Sequence, residues 1–130
     1  MTGINHVRYG KMLTTFRKSE VIFEEGSLGS EMYVVASGRV KIYQNSEEGE
    51  IEIAVFSAGE FFGEMALVDD APRSACACAL EDNTGLIALD RDKFMFLVSH
   101  QPTFALVIMH ELCQRTRFLT QCLYQKDKPV

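Results

Sequence analysis

With 130 residues, 47% of them hydrophobic and 24% charged, the chain has the composition of one globular domain that can bury a single core. Its formal net charge of −5 argues against DNA, RNA or an acidic membrane surface as the main partner, because each of these needs clustered Lys and Arg. No apolar run approaches the roughly 18–20 residues that cross a bilayer. The N-terminus, Met1-Thr2-Gly3-Ile4-Asn5-His6, also lacks the charged-then-apolar pattern of a signal peptide, so a cytoplasmic location is expected.

Residues 1–13 carry a weak helical signal, with Ile4, Val7 and Met12 apolar and Gly10 interrupting. Residues 15–17 and 20–23 read as short strands, and the Gly- and Ser-rich segment 26–30 as a turn. Residues 32–35 are apolar and β-rich, and Ser37-Gly38 turns the chain. Residues 40–44 alternate as a half-buried strand should, 45–50 read as a polar hairpin loop, and 51–56 alternate again before the Ala58-Gly59 turn. Phe61 and Phe62 run into a strand end and are assigned to the core. Two further strands, 74–80 and 84–89, are joined by a turn at Asp82-Asn83. A strand every 8–12 residues or so indicates a small β-sandwich or rolled barrel.

The last third is helical. Asp90 is the expected cap of a helix over 91–99, with Asp92 in its first turn and Phe94, Leu97 and Val98 on its buried face. Pro102 opens a second helix over 103–125. Its early apolar face is broad, with Phe104, Ala105, Val107, Ile108 and Met109, which suits packing on a sheet. It then narrows to Leu112, Thr116, Leu119 and Leu123, which suits a partner helix or the mouth of a pocket. The helix is therefore expected to begin as core and to end as lid or dimer seam.

Chemistry concentrates in one stretch. Phe61-Phe62-Gly63-Glu64-Met65-Ala66-Leu67 is followed, after an acidic gap, by Ala71-Pro72-Arg73-Ser74-Ala75. Gly63 lets the backbone pass close to a ligand. The first amides of a short helix have no internal partners and can donate to an anion. Arg73 supplies a planar fork of donors, and Glu64 can accept from hydroxyls beside the charge. One anionic group with an adjacent hydroxyl describes a sugar phosphate. Blander readings stand beside these: Arg73 paired with Asp69 or Asp70 at the surface, Glu64 as a solvated turn carboxylate, and Ser74 as a turn hydroxyl.

The stretch resembles the phosphate-binding cassette of the cyclic nucleotide-binding domain family, F-G-E with a small and an apolar residue, a gap, then P-R-[STA]-A. Gly26, Gly38 and Gly59 stand at turns where that family has glycines, and the resemblance runs over about 16–117. It implies an α+β protein: an antiparallel, jelly-roll-like β-roll of about eight strands over about 14–90, flanking helices, and a C-terminal lid helix, with the helices after the roll spanning about 91–125 of a single domain, 1–130. It further implies a ligand site of Gly63, Glu64, Met65, Ala66, Arg73, Ser74 and Ala75. In it Arg73 pairs with the cyclic phosphate and Ser74 adds a hydroxyl. Gly63 and Ala66 contribute backbone, and Glu64 accepts the ribose 2′-hydroxyl. Arg115, Phe118 and Leu119 are the candidates for contacts from the lid. The ligand is cAMP or cGMP; Ser74 does not decide, and cAMP is preferred.

The function so implied is a non-catalytic receptor module with no cofactor, signalling through its last helix to a second copy or a partner protein. About 13 residues follow Arg117, too few for a helix-turn-helix, a kinase or a channel pore, so the expectation is a sensor, either complete or the regulatory part of something longer. The rival readings are a ligand-free scaffold of the same fold, which intact Gly63, Glu64 and Arg73 argue against, and a metal-dependent jelly-roll enzyme. The latter needs clustered histidines, whereas His6, His100 and His110 are far apart and outside the predicted strands. No catalytic residue and no metal ligand is assigned. Cys76-x-Cys78 places both thiols on one strand face, and neither this pair nor Cys113 and Cys122 fits zinc or C-x-x-C spacing, so all four are read as structural.

Overall fold

Among the described residues, apolar segments, most of them carrying β-branched or aromatic side chains and punctuated by glycine turns, form eight short strands: β1 (Leu13–Phe16), β2 (Val21–Phe23), β3 (Met32–Ser37), β4 (Arg39–Ser46), β5 (Gly49–Ser57), β6 (Phe61–Phe62), β7 (Cys76–Ala79) and β8 (Thr84–Leu89). The structure is a computed structural model that describes residues 13–127. It divides into two compact units, the first ending at Met95 and the second beginning at Phe96.

In the first unit every strand pair is antiparallel, in two four-stranded sheets of order β1-β8-β3-β6 and β2-β7-β4-β5. This is the jelly-roll-like sandwich expected from the sequence, left open rather than closed into a barrel. Val35, Phe62 and Leu86 from one sheet meet Val40 and Ala77 from the other, with Phe16, Ile22, Phe23, Tyr33, Ile42 and Phe56 packed around them. Phe61 and Phe62 are buried, as assigned. On β7 the alternation splits Ala77 into this core and Cys76 and Cys78 into a satellite cluster with Tyr43.

One detail of the β4–β5 hairpin differs from the sequence reading, and a second lies beyond it. The expected loop over 45–50 shrinks to Glu47-Glu48, because β4 runs on to Ser46 and β5 already begins at Gly49. The strand at 51–56 is present, but Ile51, Ile53 and Val55 face solvent, whereas Ala54 and Phe56 are partly covered. The pairings Val40↔Phe56 and Ile42↔Ala54, with an irregularity after Ile42, put the smaller apolar set on the inner face.

Asp90 caps helix α1 (Arg91–His100) as expected, its Oδ1 accepting the Lys93 amide at 2.8 Å. On α1 Leu97 is buried, and Phe94 and Val98 are half-buried.

The second unit holds helix α2 (Thr103–Asp127), which starts just after Pro102. Phe104 and Ile108, one turn apart, are buried, whereas Met109 is 58% exposed and does not belong to the buried face. Five residues of helix rotate the chain by about 140° from Phe104, which carries Met109 to the far side. Further along, Leu112 is half-buried and Thr116, Leu119 and Leu123 are exposed. The helical signal over 1–12 lies outside the described residues. No helix among the described residues is long and apolar enough to cross a membrane.

Candidate functional site

The two halves of the cassette meet through one carbonyl. Gly63 sits in the left-handed region, φ 75°, and starts a 3-10 helix over Glu64–Leu67. Its carbonyl accepts the Ala66 amide at 3.3 Å and Arg73 Nη1 at 3.2 Å. Residues ten apart in sequence are thus fixed to a common oxygen. A side chain at Gly63 would be strained by that φ, and its Cβ would stand 2.8 Å from Arg73 Nη1.

Arg73 is anchored along its whole length. Its main-chain amide donates to the Ser27 carbonyl and its carbonyl accepts from the Gly26 amide, both at 2.8 Å. Asp69 steadies the loop before it, with Oδ1 accepting the Ala71 amide at 3.2 Å. The arginine side chain then turns inward and is only 9% exposed. Nη2 donates to the Glu31 carbonyl at 2.8 Å. The guanidinium carbon lies 4.2 Å from the centroid of the Phe23 ring and 5.9 Å from that of Tyr33. Gly29 leaves room for the guanidinium, since a Cβ there would stand 2.6 Å from both Nε and Nη2. The reading of Arg73 as a surface partner of Asp69 or Asp70 is therefore wrong. Asp69 serves the loop, and the guanidinium is buried on main-chain carbonyls.

Electrostatics follow from this setting. Burial pushes the Arg73 pKa down, opposed by Tyr33 and Glu31. Burial likewise pushes the Tyr33 phenol up, Glu31 adding to the rise and Arg73 opposing it. With one N–H of each Nη engaged by a carbonyl, the Nε–H and the second N–H on each Nη are left over. Nε is buried and has no hydrogen-bond partner among the described residues. A buried cation with spare donors and a neutral first layer is an arrangement that accepts an anion.

The other residues named from sequence distribute as follows. Glu64 is half-buried at the head of the 3-10 turn, Met65 is exposed, and Ala66 and Ala75 are buried. Ser74 is exposed, and its carbonyl accepts Gln44 Nε2 at 2.9 Å. Gly63, Ala66 and Arg73 are drawn together by the bonds just described. Arg115, Phe118 and Leu119 lie on α2 in the second unit, where Arg115 pairs with Glu111 one turn back at 3.3 Å and Phe118 and Leu119 are exposed. Sequence reasoning missed Phe23, Gly29, the Glu31 carbonyl and Tyr33. In the sequence, Phe23 and Tyr33 read only as strand residues, and Gly29 only as part of a turn.

A hollow of about 350 Å³ is lined by Ser30, Ala66, Asp70, Asp90, Arg91 and Asp92, and so shares Ala66 with the cassette. Three carboxylates around one guanidinium suit an anion poorly, and Arg91 Nε already donates to the Leu67 carbonyl at 3.0 Å. Among the described residues no group of three or more His, Cys, Asp and Glu could hold a metal ion. His100 and His110 are exposed. Cys76 and Cys78 are buried, as structural thiols should be, but Cys113 and Cys122 are exposed on α2, so that reading holds for two of the four.

Fold and site together define a jelly-roll domain with a buried arginine clamped beneath a glycine-led turn. The chain belongs to the cyclic nucleotide-binding domain family, whose sequence profile matches residues 13–101. It is 39% identical over 103 residues to the Cyclic AMP receptor protein of Thermus thermophilus, covering 78% of this chain and 47% of that protein. It is 36% identical over 81 residues to human cGMP-dependent protein kinase 2, covering 61% of this chain and 11% of the kinase. Among solved structures it is similar to Thermus thermophilus Catabolite Activator Protein, with TM-score 0.77 and 36% identity, covering 87% of this chain and 53% of that one. The chain spans about half the length of the bacterial receptor relatives it matches.

Proposed function

We propose that this domain is a non-catalytic cyclic nucleotide receptor module that takes cAMP in preference to cGMP and signals through α2. The observation that carries the reading is Arg73, a buried guanidinium held by carbonyls, with Nε lacking a hydrogen-bond partner among the described residues. Its spare donors meet the single negative charge of the cyclic phosphate, and each charge-assisted bond contributes about 1.5–3 kcal/mol. Ser74 supplies a hydroxyl and Ala75 closes the cassette behind it. Glu64 accepts the ribose 2′-hydroxyl, and the backbone of Gly63, Met65 and Ala66 lines the sugar and phosphate. The match to a protein named as a cyclic AMP receptor over most of this chain supports the choice of cAMP, while the shorter match to a cGMP-dependent kinase keeps cGMP as the competitor.

Signalling follows from linkage: the ligand shifts α2 only by as much as it prefers one position of that helix over another. Arg115, Phe118 and Leu119 are its proposed ligand-facing residues. Leu119 and Leu123 are exposed apolar side chains that the base, a second copy or a partner helix would cover. Side-by-side titration with the two nucleotides tests the choice of ligand, with tighter binding of cAMP expected and equal or reversed affinities overturning it. Cross-linking through α2 with and without cAMP tests the signalling step. A ligand-dependent change is expected, and identical patterns in both states overturn it.

A further inference from the structure

We infer that Phe23 is a positioning residue for the anion site: the face of its ring holds the Arg73 guanidinium in place without neutralising it. The inference rests on the reading of Arg73 as the phosphate ligand, and it concerns what makes that arginine ready.

A buried guanidinium is ordinarily matched by a carboxylate. A carboxylate at this point would cancel the charge and compete with any anionic ligand for the same donors. Here the partners are different. Two carbonyl oxygens take one N–H from each Nη, and the remaining contact is the π-face of Phe23, 4.2 Å from the guanidinium carbon. A ring face attracts a cation through its quadrupole, more strongly when desolvated, and leaves the net charge at full value. Tyr33 adds a more distant ring at 5.9 Å.

Phe23 is itself held in place. It lies at the end of β2, after a register shift between Val21 and Phe23 in the pairing with β7. Such an irregularity re-aims a side chain. The ring then packs at 6.0 Å from both Tyr33 and Phe62, and its edge would lie 3.7 Å from a Cβ on Gly63. The Phe23 ring on one face, Gly29 close to Nε and Nη2, and two carbonyls on the Nη groups leave the guanidinium little rotational freedom. Ordering a long side chain at the moment of binding weakens affinity, and the ring removes that cost in advance.

The test must separate ring electronics from ring volume. Mono-, di- and trifluorophenylalanine placed at position 23 progressively weaken the ring face while keeping its shape. Two quantities are measured: the melting temperature of the ligand-free protein across the series in the wild-type and Arg73→Met backgrounds, and the Kd for cAMP across the series in the wild-type background and for Arg73→Met itself. The expected result is a stepwise fall in melting temperature only where Arg73 is present, together with a stepwise loss of affinity reaching about tenfold for the trifluoro ring. Phe23→Tyr retains binding and Phe23→Leu does not. An affinity that stays flat across the fluorinated series, while Arg73→Met abolishes binding, overturns the role of Phe23 and leaves Arg73 as the ligand. Full binding by Arg73→Met overturns the anion-site reading itself, and this inference with it.

Discussion

Arg73 donates from Nη2 to the main-chain carbonyl of Glu31 at 2.8 Å, and from Nη1 to that of Gly63 at 3.2 Å. The cation is held by the backbone of two distant segments and not by a side-chain acid. Carbonyls fix a guanidinium without neutralising it, so the position and the charge of the arginine are set by different groups.

Space around that guanidinium is supplied by two glycines, and replacing them separates two effects. In Gly29→Ala the new methyl would stand 2.6 Å from Nε and Nη2, the far end of a flexible side chain. The buried Arg73 has no free space to retreat into, so its Nη2 should be displaced from the Glu31 carbonyl at the cost of that hydrogen bond, while cAMP affinity falls about tenfold or more through loss of one charge-assisted bond. Gly63→Ala meets the same guanidinium from a left-handed backbone, φ 75°. It should lose affinity as well and, in addition, about 1–2 kcal/mol of stability. Thermal melts and calorimetric titrations of both variants check this; unchanged affinity in Gly29→Ala would show that the guanidinium has room to spare.

Much of this is legible in the sequence alone. The strands, the Asp90 cap and the break at Pro102 are local signals, written in alternation and in capping chemistry within a few residues. The surroundings of Arg73 are not local. Phe23, Gly29, Glu31 and Tyr33 come from elements far back in the chain, and nothing in their own neighbourhood marks them as facing an arginine. The inner face of β5 is likewise not a local signal: Ile51, Ile53 and Val55 are the larger apolar set, and the cross-strand register turns them out. Met109 was misassigned by counting apolar residues without following their angle around the helix.

The Asp90 cap is a control that should touch stability alone. Asp90→Ala removes the bond from the Lys93 amide at 2.8 Å. It should cost about 1 kcal/mol, a drop of about 3–5 °C in melting temperature, with cAMP affinity unchanged. A melting curve superimposable on the wild type would show that the cap contributes nothing.

Alkaline pH should destabilise the fold. Tyr33, Tyr43 and Cys78 all have raised pKa values, chiefly through burial, against ordinary values of 10.0, 10.0 and 9.0. Each is an acid that the fold keeps protonated. The unfolded chain ionises first, so the stabilisation is complete below those ordinary values and is lost as pH rises through them toward the folded ones. Denaturant midpoints should hold steady near neutrality and decline between about pH 9 and 11, and Tyr43→Phe should make the decline shallower. The same slope in that variant would remove Tyr43 from the account.

The thiols should divide into two classes. Cys113 and Cys122 are exposed, while Cys76 and Cys78 are buried beside Tyr43. A chromogenic thiol reagent should react quickly with the first pair and reach the second only as the protein unfolds. Four equal rates under native conditions would contradict the satellite cluster on β7.

The receptor reading is tested most directly by calorimetric titration of cAMP into the wild-type protein and into Arg73→Ala. The account predicts micromolar or tighter binding by the wild type and at least tenfold weaker binding by the variant, a difference of about 1.4 kcal/mol or more. Equal affinity in the two proteins, or no binding by the wild type, would contradict it.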